Sequence, residues 1–227
     1  MSSTKTAPGA APRCVLHGDT LPNDGCSVTA FGAGDVLQRK GARSTNLVEL
    51  HEGLLALVAT DREGQDLFFS VRGPGAVLNL EALADQTPLH DLVAVTDGTV
   101  CQVPVASLER TGAALPETAR CRQLLELTVA EIGRYQAERV CLGGRARQRV
   151  ARLVLLAAEG DEGCRAVLEA PQHVIARTLD LRPETLSRVA KALRSEGAFA
   201  EGPTLAAGDL PTLRRVARLD RSPAASV

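Results

Sequence analysis

Residues 183–188 read Pro-Glu-Thr-Leu-Ser-Arg. On a helix, Glu184, Ser187 and Arg188 fall at i, i+3 and i+4 and share one face. Such a face carries an acceptor, a hydroxyl and a forked cation. Arg pairs bidentately with guanine, Glu accepts from cytosine, and Ser reaches either kind of base edge. With the flanking Arg182 and Thr185, these residues form a candidate set for contacting double-stranded DNA.

A reading face works only if neighbouring elements hold it rigidly. Upstream, Val174, Ile175 and Leu179 make an apolar stripe, and Ala176 is small enough for a second helix to approach closely. Asp180 stands at the turn, and Asp is among the few residues that tolerate the left-handed conformation. Pro183 suits the first helical position. Leu186, Val189, Ala190 and Leu193 form the opposite, inward stripe, and Gly197 reads as the C-terminal cap. An amphipathic hairpin with its charges in water shares this periodicity. The turn length, the small residue and the reading triad together favour a helix-turn-helix.

The chain has 227 residues, 44% of them hydrophobic and 2% aromatic, with a net charge of −1. That length suffices for two modest cores. No apolar run is long enough to span a membrane, and the first residues lack the hydrophobic centre of an export signal, so a cytoplasmic protein is expected. Charge is unevenly spread: residues 1–119 hold 8 Lys/Arg against 14 Asp/Glu, and residues 120–227 hold 18 against 13. An acidic sensory half joined to a basic half that meets phosphate has this balance. No nucleophile with a base partner, paired acid motif or phosphate-cradling loop stands out, so an enzyme is not expected.

From Phe31 to about Leu108 the pattern is one of short β segments. Gly34, Gly41, Gly53, Gly64 and Gly75 recur at turn spacing, as in a sandwich or rolled barrel. Segments 47–50, 54–59, 67–71, 92–96 and 100–103 read as strands, and 61–64 as a hairpin turn. Residues 117–141 then read as one long helix, with Leu124, Leu127, Thr128, Ile132 and Tyr135 along one side. A second copy of the chain is the economical partner for that stripe. Residues 145–158 resume as a helix with Val150, Leu153, Val154 and Leu156 inward. Residues 199–205 read as a small β wing around Gly202-Pro203, and 210–219 as a closing helix.

A glycine-punctuated β-roll, a long helix and a winged helix-turn-helix, in this order, resemble the CRP/FNR family of transcription regulators. The similarity spans roughly residues 28–218. Its sharpest matches are Gly-Ala-Gly-Asp-Val-Leu at 32–37, Glu-Gly-Gln-Asp at 63–66, Gly73-Pro74-Gly75 and the recognition helix. The resemblance implies an α+β fold with four parts: a mobile arm (1–27), a cyclic-nucleotide-binding-like β-roll (28–115), a dimerisation helix (116–142) and a winged DNA-binding domain (143–227). Glu184, Ser187 and Arg188 match the Glu-x-x-Ser-Arg pattern of the FNR-like branch. That implies a homodimer on a palindrome of TTGAT-type half-sites, with Arg188 on guanine, Glu184 on the cytosine side and Ser187 at a thymine. Family members that activate touch RNA polymerase through surface loops, and residues 61–66 are the corresponding candidate contact.

Cyclic-nucleotide-binding relatives hold the ribose with Gly-Glu and the phosphate with Arg-Ser. Here Asn79-Leu80 and Leu89-His90 stand in those places. A buried cyclic phosphate needs a cation or several donors, so cyclic AMP is not expected as effector, and the effector is left unknown. Cys101 resembles the distant cluster ligand of iron–sulfur relatives, while Cys14 and Cys26 lie near their cysteine-rich arm. With Gly18 and Leu21 where two ligands would stand, Cys14, Cys26 and Cys101 give three thiolates, and His17 or an Asp would have to complete a 4Fe–4S cluster. No cofactor is therefore expected, and a cluster- or haem-dependent sensor is the alternative reading. Cys121, Cys141 and Cys164 lack zinc-ligand spacing. His17, His51, His90 and His173 are scattered along the chain. A module that binds an effector without DNA is a further alternative, opposed by the retained reading triad.

Overall fold

Alternating apolar residues between Ser27 and Pro104 build eight short antiparallel strands in two four-stranded sheets. The computed structural model describes residues 26–110 and 117–218. One sheet holds, in order, β1 (Ser27–Phe31), β8 (Gly98–Pro104), β3 (Asn46–Glu52) and β6 (Val77–Leu78). The other holds β2 (Val36–Gln38), β7 (Asp91–Ala94), β4 (Leu55–Thr60) and β5 (Asp66–Arg72). The five strands expected from the sequence match β3, β4, β5, β7 and β8 closely. β1, β2 and β6 were not individually legible.

Because side chains alternate along a strand, β3 serves two cores. Val48 and Leu50 turn inward to meet Leu55, Leu57, Leu92 and Val100. Leu47 turns outward and packs with Val77, Cys101, Val103 and Leu127. Leu50, Leu55 and Leu92 are essentially fully buried, each contributing roughly 1.5–3 kcal/mol of transfer free energy.

Two glycines bring corners of the roll together. Gly53 has φ 86, and a Cβ there would lie 2.5 Å from the Asp97 carbonyl oxygen. A Cβ on Gly98 would lie 2.0 Å from the carbonyl oxygen of Glu52. Only backbone fits at this crossing.

After the short α1 (Val105–Arg110), the expected long helix runs as α2 (Glu117–Leu142). Its apolar residues divide between two faces. Leu124 and Leu127 are half-buried and Glu131 buried, whereas Leu125, Val129, Ile132, Tyr135 and Val140 are exposed. The single stripe expected from the sequence mixed these faces, since residues three or four apart satisfy either one.

Contacts divide the chain into two compact units, Met1–Gly133 and Arg134–Val227. The second contains α3 (Ala146–Ala158), α4 (Glu162–Glu169), α5 (Gln172–Thr178), α6 (Pro183–Ser195) and α7 (Leu210–Ala217). Val150, Leu153, Val154 and Leu155 of α3 are buried, so Leu155, rather than the half-buried Leu156, completes its inward face. The Asp161 and Asp209 carboxylates cap α4 and α7 by accepting from Cys164 N and Thr212 N. None of the described helices is long and apolar enough to cross a membrane.

Candidate nucleic-acid interface

The turn that aims α6 is a Schellman motif at the end of α5. Leu181 N donates to Ala176 O at 2.8 Å and Asp180 N to Arg177 O at 3.0 Å. Asp180 occupies the left-handed position with φ 52, where the sequence placed it. Leu179, directly before it, is buried.

Helix α6 starts as its sequence dictates. Arg182 is the extended N-cap, with φ −77 and ψ 146, and Pro183 follows at the first helical position. Leu186, Ala190 and Leu193 are buried, Val189 and Thr185 are half-buried, and Arg182, Glu184, Ser187 and Arg188 are exposed. Among the described residues, none of these four exposed side chains makes an intramolecular hydrogen bond or ion pair. Their polar groups are left for an outside partner. Lys191 is exposed seven positions after Glu184 and extends the face by one turn; the i, i+7 spacing could have revealed it.

Gly197, with φ 75, closes α6, its N–H donating to Arg194 O at 2.8 Å. The wing is wider than expected from the sequence. Its ladder is one antiparallel bridge, Phe199 with Ala207, supported by Ala200 N donating to Ala206 O. Pro203 offers no N–H for a tighter ladder. Arg194 reaches back from α6 and donates through Nη2 to Thr204 O at 3.1 Å.

In the roll, the segment matched to nucleotide-binding loops carries different chemistry. Asn79 is buried in the left-handed region, with φ 62, and caps a 3-10 helix, Leu80–Ala84. It keeps the backbone shape a glycine would give. Leu89 is 76% exposed and turned away, whereas His90 is buried. Burial holds the His90 imidazole below its usual range, and the Arg72 cation adds to this against the opposing pull of Glu81 and Asp91.

An ion pair that the sequence did not reveal lies beside these residues. Arg72 follows Ser70 on β5, and both pair with strand residues facing the roll core, Leu55 and Leu57. The Arg72 guanidinium donates to Glu131 of α2 through Nε at 3.3 Å, and through Nη1 to the Val71 carbonyl at 3.1 Å and to Ser70 Oγ. By alternation Ser70-Val71-Arg72 reads with Val71 inward and Arg72 toward solvent, so the burial of Arg72 is a finding of the structure, and nothing local names its partner.

Cys26 packs against Cys101. Burial, with the neighbouring Cys101 thiol, pushes the Cys26 thiol up. Two thiols are half of what a four-thiolate cluster needs. Cys14 and His17 lie outside the described residues. Among the described residues, no three His, Cys, Asp or Glu converge on a possible metal position. The ligand set for a cluster does not assemble from them.

A β-roll followed by a winged helix-turn-helix defines a DNA-binding transcription regulator. The family model of the cyclic nucleotide-binding domain matches residues 28–113, and that of the Crp-like helix-turn-helix domain matches residues 148–216. FixK2 from Bradyrhizobium japonicum has the same fold, at 18% identity and TM-score 0.67 over 88% of this chain and 99% of that one. A CRP-family transcriptional regulator from Thermus thermophilus is similar at 23% identity and TM-score 0.62, over 84% and 96%. The c-di-GMP responsive global regulator CLP from Xanthomonas campestris is similar at 16% and 0.57, over 81% and 94%. No curated protein sequence matches the chain. The two domain matches, in this order, assign the chain to the CRP/FNR family.

Proposed function

We propose that this regulator works as a homodimer, reads a palindrome of TTGAT-type half-sites through α6, and does so without cyclic AMP. The observation that carries the reading is the exposed set Glu184, Ser187 and Arg188, unpaired among the described residues, opposite a buried apolar stripe. Arg188 takes guanine bidentately, Glu184 accepts from cytosine and Ser187 sits against a thymine, while Arg182 and Thr185 meet the backbone. The exposed stripe of Leu125, Val129 and Ile132 on α2 supports pairing with a second copy. Two copies then present two reading helices to successive major grooves.

Independence from cyclic AMP rests on the roll. Arg72 is already neutralised by Glu131, and Leu89 stands where a phosphate-binding cation would be. Once dimeric on its site, the protein meets RNA polymerase through surface loops. The 61–65 turn, in which the Asp61 carboxylate accepts from Glu63 N and Gln65 N, offers a rigid acidic contact.

A gel shift at stated salt tests the reading. Binding to a TTGAT-type palindrome, unchanged by cyclic AMP, over a scrambled duplex is the expected result. Equal affinity for both duplexes would sink it.

A further inference from the structure

We infer that Arg149 is a positioning residue for base reading, fixing the angle at which α6 leaves its turn without touching DNA itself; this rests on α6 as the reading element. Arg149 lies in the first turns of α3, 30 positions before the turn it holds. Its Nη1 donates to Leu179 O at 3.0 Å and to Asp180 O and Oδ2, each at 3.3 Å. Its Nε donates to Gly144 O at 3.1 Å. One planar guanidinium thus joins the loop entering α3 to the turn between α5 and α6. Lysine, a point charge on a flexible stem, cannot reproduce that fork.

The turn needs such a clamp. The last carbonyls of α5 lack helical donors and carry the negative end of its dipole, so a cation there is favourable. Asp180 holds a left-handed conformation that costs a non-glycine residue. Only residues 179–182 separate α5 from α6, so a small change at Asp180 swings Glu184, Ser187 and Arg188 together. The far end of α6 is held from the same turn of α3, where Arg147 forms a two-pronged pair with Glu196, the C-cap. Arg149 is 23% exposed while Asp180 is 88% exposed. The guanidinium therefore faces protein, and the Asp180 carboxylate leaves most of its surface to water.

The test begins with wild-type protein selecting its own target from a randomised duplex library. Affinities for that target and for its scrambled version are then measured across a salt series for wild type, Arg149→Ala and Arg149→Lys, with circular dichroism as the folding control. The expected result is a loss of discrimination on the order of tenfold in Arg149→Ala, the low end for a misplaced bidentate base contact. Scrambled-duplex affinity and the salt slope stay at wild-type values, and Arg149→Lys recovers only part of the discrimination. Unchanged discrimination overturns the inference. So does a salt slope shallower by about 0.9 per protomer, the mark of a lost phosphate contact. Should Arg149→Ala not fold, Arg149→Lys decides on the same two measurements. A wild-type protein that selects no sequence overturns the base-reading function itself, a different outcome from selection that survives in the variants.

Discussion

Arg72 Nε donates to Glu131 Oε2 at 3.3 Å, joining β5 to α2 across 59 positions of sequence. The side chains are 2% and 9% exposed. Removing one partner of such a buried pair strands the other charge. Glu131→Ala is expected to lose roughly 3–5 kcal/mol, and Arg72→Met with Glu131→Leu much less. Urea unfolding of both variants checks this; a double variant as damaged as the single one contradicts it.

The same pair bears on the effector. A ligand at a hundred times its Kd raises stability by about 2.7 kcal/mol, a shift of several degrees in Tm. The Tm is expected not to move with millimolar cyclic AMP. A rise of that size contradicts the proposed independence.

Arg188→Ala is expected to weaken binding by about 1–3 kcal/mol per half-site and to relax sequence preference. Competition between the palindrome and its scrambled version reads both effects. Retained discrimination argues against a base contact at this position.

Ile132→Glu in the middle of the exposed α2 stripe is expected to give a folded monomer that loses most of its affinity for a two-half-site duplex. A carboxylate there would be buried without a partner in a dimer, while the monomer leaves it in water. Analytical ultracentrifugation decides the assembly state; an unchanged dimer rejects this interface.

His90 sets an acid limb. Its folded-state pKa lies below the usual 6.5, so the unfolded chain binds more protons between the two values and stability rises with pH there. The contribution is complete above about 6.5 and is lost as pH falls below it, through the folded-state value. His90→Gln is expected to flatten that limb in denaturation measured from pH 6.5 downward; an unchanged slope assigns the effect elsewhere.

The reading helix was legible because its determinants are local. Pro183, the stripe Leu186–Ala190–Leu193 and the cap Gly197 all act within one turn of their own positions, and Asp180 signals its turn by residue type. The roll was legible through its glycines. Helix α4 was not, since Gly163 interrupts an eight-residue segment with too few turns to show a period. The Arg72–Glu131 pair was hidden for a different reason. Its partners meet through tertiary packing, and neither neighbourhood carries a sign of the other. The two faces of α2 were merged because each repeats every three or four residues, and only packing separates the phases.

The crossing at Gly53 and Gly98 divides the roll's glycines by mutational tolerance. A side chain at Gly34, Gly41, Gly64 or Gly75 would meet open space, so residues that accept a left-handed backbone, such as Asn, can replace them at modest cost. At Gly53 and Gly98 backbone already fills that space. In a saturation scan, the first four columns would admit a few polar substitutions and the crossing pair would stay blank.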